Sequence, residues 1–276
     1  MEINSGISYN QSSYLNGNKA LERISSGSKL NSASDDASSL AISAQLQKQS
    51  SGYAQSISNV NSGVALTQIA DQAINEQSNI LDTIKEKLLQ ASTDTTSDDG
   101  RANILKDIQA LSEQLNNIAS STNYNGNYLL QENATSQETS ANLSFQAGNS
   151  SSDTIETQGI QANTLGLGLE NLLNQDAATF DSSTAREYLE TVDSAISTLS
   201  SFRSELGSSQ NQLESSGRSL ISAYTQTQEA QSVLSSANIA EEIANFNKNN
   251  VLTQAGIYAL AQSNNIKQDA VIRLLS

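Results

Sequence analysis

Apolar residues recur at helical intervals in both halves of the chain and thin out between them. Ile3, Ile7, Tyr14, Leu21 and Ile24 follow at spacings of 4, 7, 7 and 3, which places them on one helical stripe. The stripe stops at Ser25-Ser26-Gly27-Ser28, a loop signal. A second polar stretch follows at Asn31-Ser32-Ala33-Ser34-Asp35-Asp36, where Ser34 ahead of two acids predicts a helix N-cap, with the carboxylates at the positive end of the helix dipole. From there to about Ser92 the helical pattern is long. Leu46, Tyr53, Ile57, Val60 and Val64 keep one phase, and Ile69, Ala73, Ile80, Ile84 and Leu88 keep a second, displaced after Gly63. A helix of about fifty residues would extend roughly 75 Å. After a polar turn at 93–100, Ile104, Ile108, Leu111, Leu115 and Ile118 form a 4-3-4-3 seam that ends at Asn125-Gly126.

Residues 131–182 are dominated by Ser, Thr, Asn and Gly, with brief alternation at Leu143-Ser144-Phe145, and read as short β-hairpins and loops. Helical periodicity then returns in its strongest form. Val192, Leu199, Leu206, Leu213 and Leu220 lie seven residues apart, and Leu234 rejoins the register after Thr227. The companion positions Leu189, Ile196, Arg203, Gln210, Gly217 and Tyr224 turn polar along the way. A seam that is only half apolar needs shared burial, so this helix is expected to pack within the chain against the first-half helices. The last forty residues carry Ile239, Ile243 and Phe246, then Ile257 and Leu260, then Val271, Ile272, Leu274 and Leu275. Both terminal stripes are too thin to bury themselves, so each is expected to pair with the other or with a second copy. The fold class that follows is mainly α: a long antiparallel helical rod or coiled-coil bundle with small β-hairpins in its middle.

Composition sharpens this picture. Hydrophobic residues make up 36% of the 276 and aromatics 4%, which suits narrow helical seams better than one thick core. The absence of proline leaves long helices uninterrupted. At net charge −15, with 14 scattered Lys and Arg, the chain has no basic stripe for nucleic acid or an anionic membrane. No apolar run approaches the roughly 20 residues of a membrane span, and Met1 to Ser5 lack the basic and apolar regions of a cleaved signal peptide.

With no histidine and no cysteine, His-based acid–base catalysis, Ser-His-Asp and Cys-His nucleophiles and the usual zinc ligands are excluded. Leu165-Gly166-Leu167-Gly168 is too short for a phosphate loop. The acid pairs Asp35-Asp36, Asp98-Asp99 and Glu241-Glu242 read as helix caps and solvated faces. No catalytic, cofactor-binding or metal residue is therefore expected.

Longer strings carry a family resemblance. Ala20-Leu21-Glu22-Arg23-Ile24-Ser25-Ser26-Gly27, Lys29-Leu30-Asn31-Ser32-Ala33, Asp35-Asp36-Ala37 and Ala41-Ile42 resemble the N-terminal signature of bacterial flagellins. Asn61-Ser62-Gly63-Val64-Ala65-Leu66, Ala70-Asp71, Ala73, Asn75-Glu76, the stretch 123–126 and Leu129-Leu130 continue it. Leu206-Gly207, Gln210-Asn211, Gln254-Ala255-Gly256 and Leu260-Ala261-Gln262-Ser263-Asn264 resemble the C-terminal signature. The likeness covers roughly residues 1–130 and 185–276.

The resemblance implies a subunit exported without a cleaved signal peptide and polymerised into an extracellular helical filament. Residues 1–40 and 236–276 would form a coiled-coil inner core on assembly. Residues 41–235 would form a helical domain with the hairpins at 131–182 and no large outer domain. The assembly residues would be Ile3, Ile7, Leu21, Ile24, Ile243, Phe246, Ile257, Leu260, Val271 and Leu274. A flagellar export chaperone would mask Ile257, Leu260, Val271 and Leu274, and cap and hook-associated proteins would be further partners.

Alternative readings are a hook–filament junction protein and a secreted helical adhesin or translocator. An inserted protease would need an HExxH motif, which a chain without histidine lacks. Departures from the family pattern are Ser236 and Asn238 at places often held by aspartates, and a final Ile272-Arg273-Leu274-Leu275-Ser276. On the helix that the family presents to the flagellin-sensing Toll-like receptor, Glu86 and Gln90 remain, but Thr83 and Lys87 replace the usual Arg and Leu. Weak activation is therefore expected in a cell reporter assay; full potency would refute it.

Overall fold

The computed structural model describes the backbone of residues 2–133 and 135–275, and their side chains except 2–7, 9, 270 and 273–275. The chain divides into two compact units, one of residues 1–50 with 225–276 and one of residues 51–224. The expected partition divided the chain at 40/41 and 235/236. Helix α1 spans Glu2–Ser26, and helix α2 runs for 55 residues over Ala37–Ala91. After α3 (Asp98–Ser121) come two antiparallel hairpins, β1 (Asn123–Tyr124) with β2 (Asn127–Tyr128) and β3 (Leu143–Gln146) with β4 (Thr154–Thr157). A short helix α4 (Glu170–Leu173), then α5 (Ser182–Ser235) and α6 (Ile239–Leu275) complete the described elements.

In the 51–224 unit, α2 buries one unbroken line. Ser56, Val60, Gly63, Thr67, Ala70, Ile74, Gln77, Leu81, Ile84, Leu88 and Ala91 alternate at steps of 4 and 3, and all are buried. The displacement expected after Gly63 is therefore absent. It came from following apolar residues only, which skips Ser56, Gly63, Thr67 and Gln77 and recruits Ile69 instead. Ile69 is exposed, and Ala73 packs only partly against the core. Gly63 is required by crowding: a Cβ there would stand 3.1 Å from the Phe145 ring and 3.2 Å from Leu213 Cδ1.

Helix α3 runs antiparallel to α2, as Lys87 pairs with Asp107 while Gln77 reaches Leu115. Its buried line is Leu105, Ile108, Ser112, Leu115 and Ala119, with Ile104 also buried and Leu111 and Ile118 packed on the flank. The Leu heptad of α5 is buried as the periodicity predicts, at Val192, Leu199, Leu206, Leu213 and Leu220. Ala195 is buried beside it, and the expected Leu189 and Ile196 pack partly against the core together with Tyr188 and Phe202, but Arg203 does not. Arg203 instead points outward and donates to Asp71 Oδ1 at 2.9 Å. Asp181 caps α5 by accepting from Thr184 N at 2.8 Å and from the Ser183 and Thr184 hydroxyls, and these bonds hold its carboxyl down at about 2.

Residues 129–182 contribute more core than their composition suggests. Leu129, Leu130, Ile160, Ala162, Leu167, Leu169, Leu172 and Phe180 are buried with the helices. Buried amides pin this segment. Gln77 Nε2 donates to Leu115 O at 3.1 Å and Ala162 O at 2.8 Å, and Asn116 exchanges two bonds with Thr164. The β3–β4 hairpin lays Phe145 and Ile155 over Val60, Leu213 and Leu220. Asn125-Gly126, expected to end α3, is instead the two-residue loop of the β1–β2 hairpin. Both φ values are positive, 52° and 85°, as a type I′ turn demands.

Replacing Leu81 by Ala should cost about 2–5 kcal/mol, because its side chain is fully buried. Ile69→Ala should change stability by less than about 0.5 kcal/mol. Urea unfolding of the two variants checks which residues form the contact line; equal losses would contradict the 4-3 line.

Candidate assembly site

The terminal segments meet in the unit formed by residues 1–50 and 225–276. Their junction is a short backbone clasp. Lys29 N donates to Ser235 O at 2.8 Å and Ala237 N to Gly27 O at 3.0 Å, around a bridge between Ser28 and Ser236. Ser28 Oγ also donates to Ser235 O at 3.0 Å. Charged side chains close over it. The Arg23 guanidinium donates to Glu242 Oε1 at 3.2 Å and lies 3.7 Å from Asp35, which Lys19 approaches at 3.8 Å.

The cap of α2 falls to Asp36, not to the expected Ser34. Asp36 Oδ1 accepts from Ser38 N and Ser39 N, both at 3.0 Å, and helix α2 starts one residue later. Ser34 contacts Ser32 Oγ instead. Asp35 turns back to accept from Ser32 N at 3.0 Å and Asn31 N at 3.2 Å. The Ser32 backbone bond foremost, and for Asp36 the Ser39 hydroxyl, hold both carboxyls below the ordinary Asp range. Glu242, from the last acid pair, is Arg23's partner. Asp98 and Asp99 occupy the first turn of α3.

Beyond the clasp, α1 and α6 run antiparallel. Arg23 meets Glu242, and built Cβ atoms on Gly17 and Gly256 would lie 3.6 Å from Asn249 and 3.2 Å from Asn10. The inward line of α1 is Asn10, Ser13, Gly17, Ala20 and Ile24. That of α6 is Glu242, Phe246, Asn249, Thr253, Gly256, Leu260 and Ser263, again at alternating steps of 4 and 3. These lines are made mostly of small and polar side chains. Apart from Ile24, Phe246 and Leu260, the large apolar ones face away: Leu21 is 50% exposed, Ile257 56%, Val271 53% and Tyr258 76%, with Tyr14, Ile243 and Val251 also exposed. Asn10 Oδ1 is buried without a hydrogen-bond partner, which weakens the pair further.

Of the expected assembly residues, Ile24, Phe246 and Leu260 sit half-buried on the facing lines, and Leu21, Ile243, Ile257 and Val271 are exposed. The side chains of Ile3, Ile7 and Leu274 lie outside the described residues. The expected stripe through Tyr14 and Leu21 is therefore the outer face of α1. The inner face, Ser13-Gly17-Ala20, was missed because size rather than hydropathy marks it. On the other unit, Thr83, Glu86 and Gln90 are exposed on α2, and Lys87 is half-buried in its pair with Asp107. Among the described residues no cluster could hold a metal ion, and no helix is long and apolar enough to cross a membrane.

One unit is thus an antiparallel pair of terminal helices with most of its large apolar side chains exposed, and the other is a helical unit with two small hairpins. Such parts belong to a structural subunit, whose class follows from the family it matches. Residues 1–135 match the bacterial flagellin N-terminal helical region and residues 189–275 the C-terminal helical region. Relatives of near-equal length include the flagellins of Halalkalibacterium halodurans, 32% identical over 99% of this chain and 94% of that protein, and of Listeria innocua, 30% identical over 97% of each. The crystal structure of Bacillus cereus flagellin superposes with a TM-score of 0.50 at 25% identity, covering 59% of this chain and 88% of that one. A putative flagellar hook-associated protein from Vibrio parahaemolyticus shares the fold, with a TM-score of 0.61 at 13% identity over 72% of this chain and 99% of that one.

The chain belongs to the bacterial flagellin family, a family of structural proteins, and is a secreted subunit of the extracellular flagellar filament.

A carboxylate whose value is lowered by folding stabilises the fold above the unfolded value and loses that contribution as pH falls through the lowered one. The junction should thus be fully stabilised by Asp35 and Asp36 above about pH 4 and weaken on further acidification. Solid-state NMR titration of assembled filaments should place both carboxyl midpoints below the ordinary Asp value; midpoints at or above it would overturn the capping assignment.

Proposed function

We propose that the α1–α6 pair is the polymerisation site, and that its outward apolar residues are buried by neighbouring copies in the filament. The observation carrying this reading is the inversion of the pair: mostly small and polar residues face inward, with Ile24, Phe246 and Leu260 the exceptions, while Leu21, Ile243, Ile257 and Val271 face solvent. Many large apolar side chains left in solvent on the terminal helices of a secreted subunit mark an interaction surface. On this reading residues 1–40 and 236–276 form the inner core of the polymer, with Ile3, Ile7, Ile24, Phe246, Leu260 and Leu274 completing the interface. Residues 41–235 stay folded in both states.

The terminal segments are disordered in the free subunit, because a contact line of Ser, Gly and Ala recovers little of the ordering entropy. Before secretion an export chaperone covers the stripe through Ile257, Leu260, Val271 and Leu274. Cap and hook-associated proteins then engage the same terminal helices. The face at Thr83, Glu86, Lys87 and Gln90 makes at most a weak contact with the flagellin-sensing receptor. The subunit has no catalytic role; the acid pairs are accounted for by the Asp36 cap, the α3 first turn and the Arg23 pair.

Purified subunit seeded with filament fragments should elongate under the electron microscope. A variant lacking residues 1–30, and the point variants Ile243→Asp and Ile257→Asp, should not. All should keep the thermal unfolding of the 51–224 unit. Elongation of the variants at the wild-type rate would sink the assembly role given to the termini.

A further inference from the structure

Asn-Gly occurs twice in the chain, at Asn16-Gly17 and Asn125-Gly126, and the fold treats the two pairs differently. An asparagine followed by glycine can modify itself, because the next backbone nitrogen is unhindered by a Cβ. For that to happen the nitrogen must lose its proton and reach the side-chain Cγ. Gly17 lies inside α1, where its N–H is the donor of a helical bond to the carbonyl four residues back. It is also buried against α6. Gly126 lies outside the paired register, since Tyr124 pairs with Asn127 across the loop. Both Asn125 and Gly126 are exposed to the water that must take the proton.

We infer that Asn125 is a site of spontaneous deamidation in the folded protein and that helix α1, once formed, holds Asn16 inert. In the reaction the deprotonated Gly126 nitrogen attacks Cγ of Asn125. The new N–Cγ bond closes a succinimide, and the carboxamide nitrogen leaves as ammonia. Water then breaks one of the two ring C–N bonds. Opening at Cγ gives aspartate; opening at the backbone carbonyl gives isoaspartate, in which the main chain runs through the side chain. No cofactor, oxidant or reductant is needed.

The consequences differ by site. Isoaspartate at 125 inserts an extra backbone atom into a two-residue loop that has no slack, next to the bond from Leu129 N to Thr122 O at 3.0 Å and the buried Leu129 and Leu130. At 16 the same insertion would break the step between Ser13 and Gly17 on the line that meets α6. Unassembled subunits would thus lose assembly competence with age. This second statement rests on the proposed disorder of the termini in the free subunit.

The test uses the wild-type chain in three states: folded monomer, seeded filament and urea-unfolded chain, incubated together at mildly alkaline pH. Peptide mass spectrometry and isoaspartate-methyltransferase labelling follow both sites. The unfolded chain should convert both asparagines at similar rates, and the folded monomer should convert Asn125. In filaments Asn16 should react about tenfold or more slowly than in monomer, the factor that about 1.4 kcal/mol of local opening free energy produces. No conversion of Asn125 in folded monomer, with conversion in urea, would overturn the inference. Rapid conversion of Asn16 in both monomer and filament would overturn the protection by α1. Slow conversion of Asn16 in both, with Asn125 reacting, would support that protection and overturn the disorder of the free termini.

Discussion

The 51–224 unit depends on one contact line, the alternating 4-3 series of α2 from Ser56 to Ala91. Every layer of that unit is placed against it. Helix α5 brings its Leu heptad to it, α3 returns along it, and the β3–β4 hairpin covers Val60 and Gly63. Because the line includes Ser, Gly and Thr, it leaves room for large neighbours. The one position without a side chain, Gly63, lets Phe145 and Leu213 approach. The one long amide, Gln77, is satisfied on its donor side by carbonyls from two different segments. That arrangement ties the register of α3 and of the 160s to a single residue of α2, the kind of specificity that a buried polar seam position supplies at some cost in stability.

The terminal pair uses the same spacing with opposite chemistry. Both of its helices keep a 4-3 line, yet the line is filled with residues that remove little apolar surface from water. A small-residue contact lets two backbones come close without committing large side chains to the pair. The large side chains remain available for a different partner. In the 51–224 unit the seam completes the fold within one chain, whereas the terminal seam only orients two helices and leaves the apolar burial to others.

Much of this was legible where periodicity and hydropathy agree. The Leu heptad of α5 could be read directly, as could the long helices and the terminal stripes. Failures fell where the contact line carries polar or very small residues. Ser56, Gly63, Thr67 and Gln77 are invisible to an apolar count, so Ile69 was drawn into a seam it does not join. On α1 the same blindness inverted the helix, since Ser13, Gly17 and Ala20 are selected by size against Asn249 and Asn10. Ser34 and Asp36 were equally good caps on composition; which one bonds the free N–H groups depends on where the loop closed by Asp35 delivers the chain. The buried stretch from Ile160 to Leu172 was hidden because its anchors, Asn116, Asn163 and Thr164, look like loop residues until their partners are known.

The shortage of aromatic side chains has a practical side. With no tryptophan, the eight tyrosines are the chain's only strong intrinsic fluorophores. Two of them, Tyr14 and Tyr258, stand on the terminal helices at 60% and 76% exposure. Tyr188 lies half-buried against the 51–224 core, its hydroxyl 2.6 Å from Gln175 Oε1. The unmodified protein therefore carries optical labels on both its outward terminal face and its folded interior. Quenching by a small solute such as iodide would report burial of Tyr14 and Tyr258 as a fall in the accessible fraction, against a constant contribution from Tyr124 and Tyr128, which are exposed on the 51–224 unit.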